Sequence, residues 1–222
     1  MISPDAAYHA GMRGLQDRFD TRRLADRLVE NLSRTEFADD DRAFIQSRTF
    51  FFAATADGQG RPDCSYKGGA AGFVRGTDVN EVAFPSYDGN GMFRSLGNVL
   101  VNPAIALLFI DFEQPRRLRV NGTSFIQFDD PLLEQFAGAQ LIVRVRATQI
   151  FPNCPRYLHR MQMGEASAYV PRAGYVRRCL RGSVSRHSPT SCRGATRRKP
   201  LHTRRINEPA ACNRTRRRNR RV

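Results

Sequence analysis

A glycine-rich turn followed by a short basic segment is the first place in this chain where residue types and spacing suggest chemistry. The turn is Asp88-Gly89-Asn90-Gly91, and Gly and Asn tolerate backbone angles that are closed to most residues. Apolar residues then recur at spacings of three and four, which predicts a short helix that ends at Asn102-Pro103. These apolar residues are Met92, Phe93, Leu96, Val99 and Leu100.

Arg94 and Ser95 are therefore expected in the first turn of that helix. Free backbone N–H groups, a positive helix end, a guanidinium and a hydroxyl together suit a phosphate. The alternative interpretation is a tight strand-to-helix connection that holds no ligand.

Other polar residues give weaker signals. Lys67 precedes Gly68-Gly69 at a strand end, and it is interpreted either as a phosphate or substrate contact or as a solvated strand end. Asp63 and Asp111 could serve acid–base chemistry, but carboxylates at strand ends usually cap turns or pair with Arg.

Cys154 and His159 supply only two ligands, too few for a zinc site, so no metal site is predicted. No Ser-His-Asp or Cys-His arrangement has local sequence support, and catalytic residues are left unassigned.

The net charge of +15 is concentrated at one end of the chain. Residues 1–170 carry 19 Lys+Arg against 20 Asp+Glu, whereas residues 171–222 carry 17 against 1. The first part is near neutral and long enough for one domain with a substantial core. It has two Cys, no apolar leader segment and no membrane-length apolar run, which predicts a cytoplasmic protein without membrane partners.

The Arg-rich segment 172–222 has no apolar periodicity and is expected to be disordered. One hypothesis is an arm that binds nucleic acid, if only nonspecifically. The hypothesis we favour is out-of-frame sequence that begins near Tyr175, because Arg, Cys, Ser, Thr, His and Pro with almost no Lys are typical of a GC-rich gene translated in the wrong frame.

The remaining sequence predicts two helices followed by strands. Gly14–Ser33 is expected to be an amphipathic helix, capped by Asp20 or Thr21, with Leu24, Leu28 and Leu32 as its stripe. A second helix starts at Asp39–Asp41 and points Phe44 and Ile45 inward. The predicted strands are 48–55, 62–66, 73–75, 81–84, 104–112, 116–128 and 140–151, and 153–159 is expected to be a last helix. Short turns join most strands and no βαβ alternation occurs, which favours a small antiparallel barrel over a doubly wound sheet.

The order of several motifs carries a family resemblance. They are Arg48-Thr49, Gly60-Arg-Pro-Asp-Cys-Ser-Tyr-Lys-Gly-Gly69, Phe84-Pro-Ser-Tyr-Asp-Gly-Asn-Gly91, Ser95-Leu-Gly-Asn98 with Asn102-Pro103, Leu107–Asp111 and Arg116–Gly122. This order resembles the pyridoxamine 5′-phosphate oxidase-like family of FMN-binding split barrels, over roughly residues 11–171. The final Phe151–Arg160 is similar to the oxidase-related branch of that family rather than to the oxidase itself.

The resemblance implies a six-stranded antiparallel split β-barrel over residues 48–171, with the helical segment 1–47 packed on it and the tail 172–222 beyond. It also implies a homodimer that binds FMN at the subunit interface, and an oxidoreductase acting on an unidentified small substrate. Deazaflavin and heme are alternative cofactors. A non-catalytic module that binds a flavin or another anion, or a deazaflavin-dependent reductase, is an alternative function.

Carried over position by position, the FMN phosphate would contact Arg48, Thr49, Ser65, Lys67, Arg94 and Ser95. Tyr66, Asn98 and Arg117 would lie near the ring. Several cations and donors are what a phosphate dianion requires. The C-terminal Trp and Arg-x-His segment of the true oxidase has no counterpart here, so pyridoxamine phosphate is not expected as the substrate.

Overall fold

The computed structural model describes residues 2–172. The helices in it are α1 (Pro4–Ala7), α2 (Ala10–Arg18), α3 (Arg22–Leu32), α4 (Asp39–Ser47) and α5 (Arg94–Val101), and Pro131–Gln135 forms a 3₁₀ turn. The strands are β1 (Phe50–Ala56), β2 (Pro62–Gly68), β3 (Arg75–Asp78), β4 (Glu81–Tyr87), β5 (Ala104–Asp111), β6 (Arg116–Gln127) and β7 (Ala139–Asn153).

The seven strands form one antiparallel sheet in the order β2-β1-β5-β6-β7-β4-β3. β2 and β3 are its two edges, so the sheet is split rather than closed. The architecture is the predicted mainly-β split barrel with short helices. Its strand number is seven rather than the six expected, because the four-residue β3 pairs with β4 as a separate short hairpin.

The buried apolar side chains of this sheet form one core. Every strand except the edge strands β2 and β3 contributes to it, and α4 and α5 add residues from outside. Its fully buried large side chains include Phe51, Phe84, Phe109, Leu118 and Ile142. As predicted, Phe44 and Ile45 of α4 point inward, with 5% and 1% of their surfaces exposed.

The β1–β2 hairpin follows from its turn residues. The Asp57 side chain accepts hydrogen bonds from the backbone N–H groups of Gln59 and Arg61, at 2.9 and 3.0 Å. Gly60 has a φ of 78°, which favours glycine. Such a turn returns the chain at once, so that Ala56 pairs with Pro62 and Phe51 with Lys67.

Two helix predictions are wrong. The predicted helix over Gly14–Ser33 is two helices, because Asp20 adopts a φ of 51° between α2 and α3 and Thr21 caps α3 without a side-chain hydrogen bond. The predicted leucine stripe is mainly on the outside, where Leu24 is 58% and Leu28 47% exposed. The α3 residue that is buried is Val29.

The predicted last helix at 153–159 is absent from the described residues. β7 continues to Asn153, and the chain then makes one turn, in which the N–H of Leu158 bonds the carbonyl of Pro155. A segment this short gains too few hydrogen bonds to maintain a helix by itself. The chain returns to the sheet at Met161, whose N–H donates to the carbonyl of Phe112.

The helices before β1 join the sheet at a few specific points. Arg34 forms an isolated bridge with Ile150, and Gln149 donates to the Ser33 hydroxyl at 3.1 Å.

None of the helices between residues 2 and 172 has the length and apolar character that crossing a lipid bilayer would need. Apart from Arg172, the predicted tail lies outside the described residues.

Candidate functional site

A cavity of about 330 Å³ lies at the split of the barrel, between edge strand β2, the end of β4 and the start of α5. We call it the anion pocket. Four of the predicted phosphate contacts line it together, namely Ser65, Lys67, Arg94 and Ser95. The glycine-rich turn Gly89–Met92 closes one side, so the predicted turn and helix start do meet the predicted strand.

The alternation of β2 selects which side chains reach the anion pocket. Asp63, Ser65 and Lys67 are two residues apart and therefore share one face of the strand. Tyr66 lies on the other face, where it is 59% exposed. Ser65 and Lys67 are thus brought to one site, and Tyr66 is directed away from it.

A chain of hydrogen bonds joins β2 to α5 in this pocket. The Ser95 hydroxyl donates to Oδ2 of Asp63 at 3.0 Å, and the Ser65 and Ser95 hydroxyl oxygens are 2.8 Å apart. Nε of Arg94 donates to Oδ1 of Asp63 at 3.1 Å. The hydrogen bond from Arg94, together with the Ser95 bond and the nearby cations, lowers the pKa of the Asp63 carboxyl and outweighs its burial. Asp63 is therefore an ionised carboxylate within the site.

Lys67 is the cation in the pocket that has no partner. Among the described residues it forms no hydrogen bond or ion pair, although Asp63 is close enough to interact electrostatically. Burial lowers the pKa of its ammonium group, and the charge of Asp63 offsets this only in part. Burying an ammonium group without a carboxylate partner costs free energy, and an anion that binds beside the group offsets this cost.

The start of α5 also lacks a partner. Phe93 occupies the N-cap position with φ 48° and ψ 30° and provides no side-chain cap. A left-handed conformation is unusual for an aromatic residue and is commonly found at functional sites. The first backbone N–H groups of the helix therefore remain available beside the pocket.

A second and larger cavity of about 700 Å³ adjoins the anion pocket at Tyr87, which lines both. We call it the aromatic cavity. Phe50 stacks on Tyr66 at 5.3 Å between ring centroids and on Phe112 at 6.0 Å, with nearly parallel planes. Residues 163–172 cover part of this cavity, and the N–H of Met163 donates to Glu113. All three rings line the aromatic cavity and make part of its surface apolar.

Arg48 and Thr49 line the aromatic cavity and not the anion pocket. Arg48 forms an ion pair with Asp111 at 2.6 Å, and its guanidinium lies over the Phe44 ring. This is the pairing with Arg that strand-end carboxylates were expected to make, as is the pairing of Asp63 with Arg94.

Asn98 and Arg117 line neither cavity. Nδ2 of Asn98 donates to Oγ1 of Thr55 at 3.1 Å and so attaches α5 to β1. Arg117 donates to the carbonyl of Cys154, and its Nε is buried without a hydrogen-bond partner among the described residues. Both side chains have structural partners in this state of the protein.

Two site residues were absent from the predicted set. From the sequence, Asp63 was considered for acid–base chemistry or for pairing with Arg, but not as part of the phosphate site. Strand alternation alone places it on the same face as Ser65 and Lys67. Tyr87 ends β4, and no local signal distinguishes it from other strand-end aromatic residues. Its position between the two cavities depends on β4 lying across the split from β2.

Fold and site together describe a split β-barrel with an anion pocket beside an aromatic cavity. The chain belongs to the pyridoxamine 5′-phosphate oxidase family, whose family model matches residues 37–161. No curated protein matches the chain significantly.

Several solved structures resemble parts of the chain. HupZ of Group A Streptococcus is 19% identical, with a TM-score of 0.43, over 58% of this chain and 99% of that one. HutZ, the heme storage protein of Vibrio cholerae, is 19% identical, with a TM-score of 0.39, over 52% and 94%. An FMN-binding protein of Syntrophomonas wolfei is 9% identical, with a TM-score of 0.40, over 64% and 97%.

Proposed function

We propose that this protein is a flavoprotein that binds FMN, with the phosphate of the cofactor in the anion pocket. The observation that supports this most is Lys67, a half-buried cation without a partner, beside two hydroxyls, Arg94 and the uncapped start of α5. These are the donors and charges that bind phosphates in proteins. Membership of the family supports a flavin as the cofactor.

The residues present fit a flavin mononucleotide in kind and in arrangement. One cavity is small, polar and cationic, and the adjoining one is larger and lined by stacked aromatic rings. Cavities of this size are typical of sites for small organic ligands. Tyr87 separates the polar from the aromatic part, and burial raises the pKa of its phenol, so it remains neutral and able to donate a hydrogen bond.

We propose further that the protein is a homodimeric oxidoreductase that acts on a small substrate. A bound isoalloxazine ring supplies the electron transfer, so the chain needs no nucleophile of its own. Its residues would bind the phosphate, orient the ring and exclude water. Large apolar side chains near the site are exposed in the single chain, which supports covering by a second copy. They are Tyr66, Met92, Phe93, Leu100 and Val101.

The absorbance spectrum of the purified protein tests the cofactor. We expect a yellow preparation with flavin bands, or quenching of FMN fluorescence when FMN is titrated into colourless protein. A protein that stays colourless and leaves FMN fluorescence unchanged would contradict the proposal. The spectrum also separates the flavin from the two alternatives, because a deazaflavin and a heme absorb at different wavelengths.

A second candidate is a module that binds a flavin without turnover. The observation in its favour is that the carboxylate of the anion pocket, Asp63, is already held by hydrogen bonds from Arg94 and Ser95. Anaerobic photoreduction followed by mixing with oxygen or candidate acceptors distinguishes the two. If at least one acceptor reoxidises the bound flavin faster than it reoxidises free flavin, the result supports the oxidoreductase. If every acceptor reoxidises bound and free flavin at the same rate, the result supports the binding module.

A further inference from the structure

The hydrogen-bond chain in the anion pocket has no hydrogen left for a ligand. Ser95 has one O–H, and it is donated to Asp63, because an ionised carboxylate only accepts. The 2.8 Å contact between the two serine oxygens therefore requires Ser65 to be its donor. Both hydroxyl hydrogens thus point along the chain toward Asp63, and Ser65 presents lone pairs to the cavity.

The charges of the pocket also disfavour a phosphate dianion. Lys67 and Arg94 bring two positive charges, and Asp63 cancels one of them. A phosphate monoester is largely a dianion at neutral pH, since its second pKa is about 6. Binding it unchanged would leave an excess negative charge in a partly buried site and would set its oxygens against the Ser65 lone pairs.

We propose that the anion pocket takes up one proton when it binds a phosphate monoester, and that Asp63 is the residue that imposes this requirement. A proton on Asp63 reverses the chain, so that Asp63 donates to Ser95, Ser95 to Ser65, and Ser65 to the phosphate. A proton on the phosphate leaves the chain as it is, and the P–OH group donates to Ser65. In both cases the proton comes from solvent, no covalent bond other than O–H changes, and the charges of the pocket and ligand balance.

This inference rests on the proposed phosphate site and makes it more specific. Asp63 is a specificity-determining residue, because it makes the pocket take up a proton together with a phosphate monoester, either on the carboxyl or on the phosphate. Without the carboxylate the pocket would bind the dianion without an added proton.

Other groups face Asp63 and could contribute a pH dependence of their own. They are Arg94 from α5, Lys67 from β2 and Tyr87 from β4, and Cys64 lines the same pocket from the other face of β2, while the cross-strand neighbour on β1, Thr55, does not titrate. All of these groups remain in the variant Asp63→Asn, so any pH dependence that they cause independently of Asp63 persists in it.

Calorimetric titration of FMN into the full-length protein tests the inference. At pH 8, titrations in two buffers of different ionisation enthalpy give the number of protons taken up. We expect close to one for the wild type and close to none for Asp63→Asn, whose amide can donate to Ser95. Between pH 6.5 and 8.5 the wild-type affinity should fall roughly tenfold per pH unit. The affinity of Asp63→Asn should be nearly constant and higher at pH 8.

Asp57→Asn is the matched control, because Asp57 lies in the adjacent β1–β2 turn and pairs with Arg61 outside the pocket. It should take up protons as the wild type does. FMN binding without proton uptake, or an unchanged pH slope in Asp63→Asn, would overturn the inference and leave the proposed function intact. Whether FMN binds with or without proton uptake is decided by the wild-type measurement alone, even if the variant does not fold.

Inorganic phosphate is the second probe. If it binds with uptake of a proton while FMN does not bind, the inference stands and the proposed function is wrong. If neither ligand binds, both are wrong.

Discussion

Arg48 and Asp111 form an ion pair in which Nη1 and Oδ2 are 2.6 Å apart, with 19% and 15% of the two side chains exposed. Burial alone would raise the pKa of Asp111, but hydrogen bonds from the Gln114 backbone and from Arg48 lower it overall, so the pair is charged. This pairing neutralises Arg48, which faces the aromatic cavity. The anion pocket therefore relies on Lys67 and Arg94.

Lys67→Met should weaken FMN binding while leaving the fold intact. The change removes a charge-assisted contact, which corresponds to roughly a ten- to hundredfold loss of affinity. It also removes a buried ammonium that lacks a partner, so the free energy of unfolding without ligand should be unchanged or higher. Fluorescence titration and urea denaturation measure the two effects.

Arg61→Ala is the control for that experiment, because it removes a cation from the neighbouring turn, where 75% of the side chain is exposed. It should bind FMN as the wild type does. Arg94→Ala should weaken binding less than Lys67→Met, since its side chain is 68% exposed and already shares its charge with Asp63. Wild-type affinity in both Lys67→Met and Arg94→Ala would place the phosphate elsewhere.

Gly122→Ala should destabilise the protein. Gly122 lies at an irregularity in the β6–β7 pairing, and an added Cβ would be 2.2 Å from the backbone oxygen of Arg146. Backbone on both strands would have to move, at a cost of roughly 1–3 kcal/mol. The same substitution at the exposed Gly97 of α5 meets no atom within 4 Å and should be neutral or stabilising. Urea denaturation of the two variants should give opposite or clearly unequal shifts.

Arg144→Met should destabilise the protein in a pH-dependent way. Arg144 pairs with Asp130 at 2.6 Å and with Glu81 at 2.7 Å, and both carboxylates are almost fully buried. Leaving buried charges without a partner costs about 3–5 kcal/mol. The control, Arg146→Met, removes only a 3.7 Å pair of a side chain that is 64% exposed, and it should cost less than about 1 kcal/mol.

The sign of the pH effect follows from Asp130. The hydrogen bond from Arg144 lowers the pKa of Asp130 in the folded protein. Its contribution to stability is therefore present above the unfolded pKa of about 3.9 and is lost as the pH falls through the folded pKa. The stability difference between wild type and Arg144→Met should be largest near neutrality and shrink below about pH 4. A difference that stays constant from pH 7 to pH 3 would contradict this account.

Light scattering should show a dimer, both for the full chain and after removal of residues 176–222. Val101→Glu should weaken the dimer, because Val101 is 62% exposed on α5 beside other exposed apolar residues. Val79→Glu places the same charge on a valine that is 55% exposed at the β3–β4 turn, and it should leave the dimer unchanged. A monomer that still binds FMN tightly would refute the interface.

Local patterns in the sequence were sufficient to predict six of the seven strands, whereas the predicted strand 73–75 overlaps β3 (Arg75–Asp78) at Arg75 alone. The predicted strands 104–112 and 116–128 are confirmed by β5 and β6, which cover almost the same residues. Each of these depends on residues that are adjacent in the chain. The helix break at Asp20 was missed because it depends on the backbone of a single residue.

The arrangement of the site was less accessible, because it depends on which faces and which strands meet. Ser65, Lys67, Arg94 and Ser95 share a cavity because β2 runs beside the start of α5. Whether the predicted contacts bind FMN stays a prediction. The role of Asp63 could not be predicted from its residue type, because this role depends on hydrogen bonds from Arg94 and Ser95, which lie on α5.

The sheet order also determines when the site can form during folding. The hairpins β1–β2, β3–β4 and β5–β6 pair neighbouring segments, but Phe52 pairs with Leu108 and Phe84 with Val143, which are distant in the chain. Such nonlocal pairings close large loops and are slow. The anion pocket needs β2, the end of β4 and α5 in place, so it exists only after these nonlocal pairings have formed. A ligand that binds there should consequently act on the final barrier, slowing unfolding more than it accelerates folding.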